Sequence, residues 1–297
     1  MRKSTSVFLF LFSVGISLLF VSVASADTIY AIAQDLDLHF FRAYSTATPD
    51  TVTSINDNFS PGTIYGIDFN SAGTLYGINN SPNEPGGRSL GAIDIATGTY
   101  TKLEDIIGIP LTEYISGLAI NHTNGAFYVS TTEALFGPSG SSSLYTLDPA
   151  TGAATLVGNE TTANNVEEIA FDALGHLFAI DVGTQSLYSM DPSTAAVSLI
   201  GGIAGVPDGQ GGFFQFRDMT GMKFDLNTGV LYAVLHFDPS DGAFVSLNPA
   251  NAAETVLSVQ HGALTEEIAI PLAVPEPGTF TLLAVAMVAL VRRNRSK

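Results

Sequence analysis

Short apolar runs separated by clusters of Asn, Asp, Gly, Pro and Ser make up the chain, a pattern of strands and tight turns rather than helices. Four stretches repeat it: "TIYGIDFNSAGTLYGINN" from Thr63, "YISGLAINHTNGAFYVST" from Tyr114, "NVEEIAFDALGHLFAIDV" from Asn165 and "DMTGMKFDLNTGVLYAVL" from Asp218. Each reads as an apolar strand, an Asn/Asp/Gly turn and a second strand that starts with an aromatic residue or Leu-Tyr. Aligning Ile67, Leu118, Ile169 and Met222 gives spacings of 51, 51 and 53 residues, a near-constant period of the kind found in propeller blades. The second half of each unit repeats too, as "SLGAIDIATGTYTKL", "SLYTLDPATGAATLV", "SLYSMDPSTAAVSLI" and "AFVSLNPANAAETVL". Asp148-Pro149-Ala150-Thr151-Gly152 sets out the turn chemistry: Asp opens the turn, Pro fixes φ, and Gly supplies positive φ. Each unit therefore predicts four strands.

A fifth unit is split between the two ends. "TIYAIAQD" and "LHFFRAYSTATPDTVTSI" supply later strands with no first strand before them, whereas "TEEIAIPL" from Thr265 matches the first strand of "VEEIAFDA" with nothing after it. Joined, they make one blade, and closing a ring this way removes exposed sheet edges. The fold expected over residues 27–272 is all-β: a five-bladed β-propeller closed by N- and C-terminal strands, resembling the large, diverse propeller group of exported bacterial proteins. Two β-sandwich domains are the alternative; the fixed period argues against them, and six or seven blades need more chain. Tyr76, Phe127, Phe178 and Tyr232 recur with the period and are expected to pack between blades. Tyr100, Phe136, Phe213, Phe214 and Phe216 break it and are candidates for a ligand-facing rim. "GGIAGVPDGQGG", residues 201–212, lacks the Lys-Ser/Thr of a phosphate loop and reads as a flexible connection.

The two ends carry addresses. Met1-Arg2-Lys3, an apolar stretch over residues 7–23 and Ala24-Ser25-Ala26 make a signal peptide over residues 1–26, read by the Sec translocon and cut by signal peptidase. An uncleaved signal anchor is the alternative; the position of the A-x-A site directly after the apolar stretch favours cleavage. At the other end, Val274-Pro275-Glu276-Pro277 precedes 14 residues, 278–291, which as a helix reach about 21 Å, short of a hydrocarbon core of about 30 Å. Arg292, Arg293, Arg295 and Lys297 follow and hold that end on the cytoplasmic side. In that order, these features resemble the PEP-CTERM sorting signal of Gram-negative bacteria, over residues 273–297 only. Asn294 and Ser296 dilute the basic end. The resemblance implies recognition at Pro275, Glu276 and Pro277 by an exosortase, a membrane-embedded cysteine protease-transpeptidase of bacteria that make extracellular polysaccharide. It implies a short transmembrane helix that holds the protein transiently before it reaches the cell surface or matrix.

Composition narrows the chemistry. There is no cysteine, which removes disulfides, thiolate metal sites and thiol nucleophiles. The region between the two addresses carries 27 acidic residues against Arg42, Arg88, Lys102, Arg217 and Lys223, a formal net charge of −22. Such a surface repels phosphate backbones and excludes nucleic acid; its plainest use is to keep an exported protein soluble.

If the first strand of each blade lines a central channel, the residues two before the aligned apolar positions gather there: Tyr65, Ser116, Glu167, Thr220 and Glu266. The adjacent set is Gly66, Gly117, Glu168, Gly221 and Glu267. Strand alternation sends one member of each Glu-Glu pair inward, and the sequence leaves open which. Oxygen-rich surroundings without cysteine suit Ca²⁺ as a cofactor, against the simpler reading of solvated acids; there is no EF-hand loop. Glu167 and Glu266 are the pair to test for acid/base cleavage of a sugar, which needs two carboxyl groups with separated pKa values. His39, His122, His176, His236 and His261 share no repeat position; His122 and His176 fall in or beside turns, and no Gly-x-Ser-x-Gly elbow occurs. The expected function is a non-enzymatic binding module of the cell surface or matrix, associated with exopolysaccharide. The alternative is a glycan-acting hydrolase or lyase with an acidic, Ca²⁺-dependent channel site.

Overall fold

The computed structural model describes residues 28–35, 38–61, 64–80, 87–133, 140–160, 162–163, 165–207, 213–214, 221–238, 241–261 and 264–272. Both end segments, 1–26 and 273–297, lie outside them, as do Phe136, Phe216 and Thr220. The described residues form strands and turns, with no helix.

Twenty of the strands make five four-stranded antiparallel sheets. Blade 1 holds β1 (Thr28–Asp35), β2 (Leu38–Ser45) and β3 (Thr48–Asn56). Blade 2 holds β4 (Ile64–Phe69), β5 (Leu75–Asn79), β6 (Ser89–Asp94) and β7 (Thr99–Asp105). Blade 3 holds β8 (Tyr114–Asn121), β9 (Ala126–Thr132), β10 (Ser142–Leu147) and β11 (Ala154–Glu160). Blade 4 holds β12 (Val166–Phe171), β13 (Leu177–Asp181), β14 (Ser186–Met190) and β15 (Val197–Gly202). A two-stranded piece, β16 (Val206–Pro207) with β17 (Phe213–Phe214), follows. Blade 5 holds β18 (Met222–Asp225), β19 (Val230–Asp238), β20 (Asp241–Leu247) and β21 (Glu254–His261). The last strand, β22 (Leu264–Ala269), pairs antiparallel with β1, Tyr30 opposite Ala269 and Ala31 opposite Ile268, and so completes blade 1.

The ring closes through its inner strands. β4 touches β8, β8 touches β12, β12 touches β18, β18 touches β22, and β22 returns to β4. Five apolar clusters fill the five blade interfaces. An aromatic pair marks each: Tyr30–Phe69, Tyr76–Phe127, Tyr128–Phe171, Phe178–Phe224 and Tyr44–Phe244, with ring centroids 5.0–5.7 Å apart. Tyr76, Phe127, Phe178 and Tyr232 thus pack between blades as the period predicts, Tyr232 also stacking on Phe244 of its own blade at 5.2 Å. Edge and offset ring contacts of this sort add about 0.5–1.5 kcal/mol beyond the area they bury.

Two expectations change. Tyr100 is no rim residue: its ring lies over Gly91, where a Cβ would stand 2.2 Å from the ring, and its hydroxyl meets Ser89. The glycine leaves a gap on β6, and the cross-strand aromatic fills it. The 201–212 connection is not free throughout, because Val206 and Pro207 pair with Phe214 and Phe213.

Candidate functional site

Four of the five inner strands meet their neighbours with an extra residue. On β8, Ile115 faces Thr131 and Gly117 faces Ser130, leaving Ser116 over; on β12, Val166 faces Asp181 and Glu168 faces Ile180, leaving Glu167 over. On β22, Thr265 faces Ala33 and Glu267 faces Ile32, leaving Glu266 over, and on β4 the slip falls between Ile64 and Ile67, at Tyr65-Gly66. The repeat position singled out in the sequence is therefore a β-bulge in four blades, with Thr220 outside the described residues. A bulge breaks the two-residue alternation and re-aims the side chains around it. Ser116 turns to the next blade, its hydroxyl donating to Val166 O at 2.8 Å and lying 3.1 Å from Ser130 Oγ. Glu167 is buried and accepts from Asn165 Nδ2 at 3.3 Å, while Tyr65 and Glu266 are half-buried. Of the four described members, Ser116 and Glu167 are closed off from solvent.

Glu168 and Glu267, one step on, do come together, with Asp68 and Lys223 from two residues further along the repeat. At the axis, Glu168 of β12, Glu267 of β22, Lys223 of β18 and Asp68 of β4 are all buried, Glu168 with no exposure at all. Lys223 Nζ donates to Leu118 O at 2.7 Å, Glu168 Oε1 at 3.1 Å and Ile169 O at 3.1 Å, tying three blades. The Asp68 carboxylate accepts from Phe69 N and, across the interface, from Ile120 N, both at 2.8 Å. Glycine makes room for this. Gly66 sits at φ +76° with its missing Cβ 2.3 Å from Leu118 N, and a Cβ on Gly117 would stand 2.7 Å from Glu168 Oε1. Two blades spend that position on an acid, and a glycine opposite lets the carboxyl in.

Burial sets the protonation of the cluster. It pushes the Glu168 carboxyl up to about 7 despite the opposing pull of Lys223. Glu267 is driven well above the usual carboxylate range, first by burial and then by the adjacent Glu168 charge. Asp68 is also raised by burial, against Lys223 and its amide donors. For Lys223, burial alone would lower the ammonium, but Glu168, Asp68 and Glu267 outweigh it and raise it above its ordinary value. Burial and the neighbouring Glu168 charge thus favour the neutral form of Glu267, beside the Glu168 carboxyl that faces Lys223. Oε2 of each glutamate is buried with no hydrogen-bond partner among the described residues, which adds to the cost of keeping both carboxyls charged. The cation among these acids is the chain's own ammonium, and among the described residues no three His, Cys, Asp or Glu side chains are placed to hold a metal ion.

Elsewhere, Arg88 is buried and gathers the connection before β8, donating from Nη1 to Pro110 O at 2.9 Å and from Nη2 to Glu113 O. The Glu113 carboxylate accepts from Thr131 Oγ1 at 2.5 Å and from Tyr145 OH at 3.0 Å, and burial lifts Tyr145 to about 12. His236 Nε2 lies 2.6 Å from Thr265 O, so a buried histidine fastens the closing strand. His176 is exposed beside Asp172, as its turn position predicts. A polar cleft of about 300 Å³ opens at the closure seam, lined by Arg42, Tyr44, Asp50, Ser258, His261 and Thr265.

A family model described as "Repeat of unknown function (DUF6923)" matches residues 39–253, most of the ring. The chain belongs to this repeat family. The PEP-CTERM protein-sorting motif matches residues 273–296, so the protein is exported, sorted by an exosortase and held transiently at the membrane by its tail. No curated protein matches the chain. Among solved structures it is similar to one titled as a nidogen/laminin complex, with 12% identity and TM-score 0.48 over 84% of this chain and 99% of that one. It is also similar to a structural-genomics protein of unknown function from Bacteroides thetaiotaomicron, with 16% identity and TM-score 0.48 over 85% and 63% of the two chains. A Lactobacillus plantarum protein matches at 10% identity and TM-score 0.44 over 83% and 99%.

Proposed function

We propose that the protein is a non-enzymatic binding module of the cell surface or extracellular matrix, associated with exopolysaccharide, which reaches its place through the Sec translocon and an exosortase. The tail serves as a short transmembrane helix until it is processed. One observation carries the binding reading: the carboxyl pair Glu168 and Glu267 is sealed at the axis against Lys223. A glycoside cleavage site needs its two carboxyls in contact with a bound sugar and water, and this pair admits neither. An open cleft with a polar lining sits instead at the seam, where the Arg42 guanidinium lies 4.3 Å from the Phe40 ring centroid. An anionic body also suits a neutral glycan better than a phosphorylated partner.

The test is a glycan array run with the mature protein, with reducing-end release measured on every glycan retained. Retention without release is expected. Release of reducing ends would overturn the non-enzymatic reading, and silence across neutral matrix glycans would overturn the exopolysaccharide association.

A further inference from the structure

We infer that the propeller sits face-on at the membrane while its tail holds it, with one particular face inward: the face that carries the β4–β5, β8–β9, β12–β13 and β18–β19 turns. The inference rests on the tail acting as a membrane holder and adds the orientation.

Both ends of the described chain leave from that face. β22 runs antiparallel to β1 with Tyr30 opposite Ala269, so Thr28 and Leu272 flank each other, in the place that the other blades give to the turn between their first two strands. A side-chain bond confirms the side: Asn227 Nδ2, in the turn between β18 and β19, donates to Pro271 O at 3.4 Å. The exit is also central, because β22 is the inner strand of its blade and touches the inner strands on either side.

Tether length then fixes the orientation. Five residues separate Leu272 from Gly278, where the apolar run begins, and the six steps between them, at about 3.3–3.6 Å each, span at most about 22 Å. A body of this size has a radius of gyration of about 18 Å, equivalent to a sphere of about 23 Å radius. Standing edge-on would put the central exit about 23 Å above the headgroups, which themselves add about 5–7 Å over the hydrocarbon. The tether is too short for that and long enough for a face-on seat. Attraction to lipid is not the cause. The short turns on this face read Asn-Ser-Ala-Gly, His-Thr-Asn-Gly, Asp-Ala-Leu-Gly and Leu-Asn-Thr-Gly, with no Lys or Arg to hold an anionic surface. The opposite face carries the longer connections, including residues 106–113 and 203–221, and is presented outward to matrix partners.

The chain's lack of cysteine makes the test direct. Single cysteines are placed on the full chain, with its tail, at exposed positions of the inward face (Ser71→Cys, Ala173→Cys) and of the outward face (Asn58→Cys, Leu111→Cys). Each is labelled with a fluorophore, the protein is reconstituted into vesicles containing nitroxide-headgroup lipid, and flotation is measured before quenching. The labels at 71 and 173 are expected to be quenched several-fold more than those at 58 and 111. Equal or reversed quenching in protein that floats overturns the orientation and leaves the anchoring intact. A full chain that fails to float overturns the anchoring and the orientation with it.

Discussion

Replacing Lys223 with Met would remove the only cation among the described residues at the axis while keeping most of the side-chain volume. Three acceptors lose their donor: Leu118 O, Ile169 O and Glu168 Oε1, now 2.7, 3.1 and 3.1 Å from Nζ. Because Met fills nearly the same space, the perturbation is one of charge and hydrogen bonding rather than a cavity. Removing one partner of a buried ion pair costs about 3–5 kcal/mol, a large share of the roughly 5–15 kcal/mol that holds a domain folded. Part of that cost depends on pH. Without Lys223, the Glu168 carboxyl loses the charge that favours its ionised form, climbs above about 7 and takes up a proton, so the deficit is smaller at pH 5 than at pH 8. Urea unfolding followed by far-UV circular dichroism is the assay, since the chain has no tryptophan. Lys223→Met with Glu168→Gln leaves no buried ion and is expected to recover most of the loss at pH 8. A Lys223→Met midpoint equal to that of the parent at pH 8 would refute the sealed axis, because only a hydrated ammonium can be removed at no cost.

The parent's own pH dependence follows from the same cluster. A carboxyl raised from 4.5 to about 7 on folding stabilises fully below the unfolded value and loses that contribution as pH rises through the folded one. Between pH 4.5 and 8 the loss is on the order of 3 kcal/mol, and Glu267→Gln, which keeps a neutral donor, is expected to flatten the fall above pH 7 in the same unfolding series. Gly66→Ala places a Cβ 2.3 Å from backbone and is expected to abolish cooperative unfolding, whereas Gly73→Ala, at φ +81° with open space, should cost only about 1–2 kcal/mol. Equal losses in the two would remove the close-approach argument. A chain ending before Leu264 loses the inner strand of blade 1 and bares the edge of β1; size-exclusion chromatography is expected to show aggregates, and a monodisperse monomer would contradict the closure.

Much of the fold was legible because it is written as period and punctuation. The turns before β5, β9, β13 and β19 and the split fifth unit are local chemistry repeated about every 51 residues, and each matched an observed turn or strand. Tyr100 misled because breaking a repeat is no evidence of exposure; its partner, Gly91, lies across a strand pair and shows only when the sheet is built. The acidic doublets lie on two of the strands that meet at the axis, and the bulge in each decides which acid goes where. Glu167 and Glu266 occupy bulges, and Glu168 and Glu267 take the axis.

Sequence alone therefore determined the strand order, the blade count, the closure by both ends and the sorting tail, since each depends on local propensity or on a repeat visible along the chain. Tertiary structure decided the axis. An added residue at each bulge shifts the alternation that pattern reading relies on. The partner of Glu168 is Lys223, 55 positions away, where the other described inner strands place Asp68, Ala119, Ala170 and Ala269. Only the closed ring brings Glu168 and Lys223 within hydrogen-bonding distance, and only its dry interior raises the carboxyls so far.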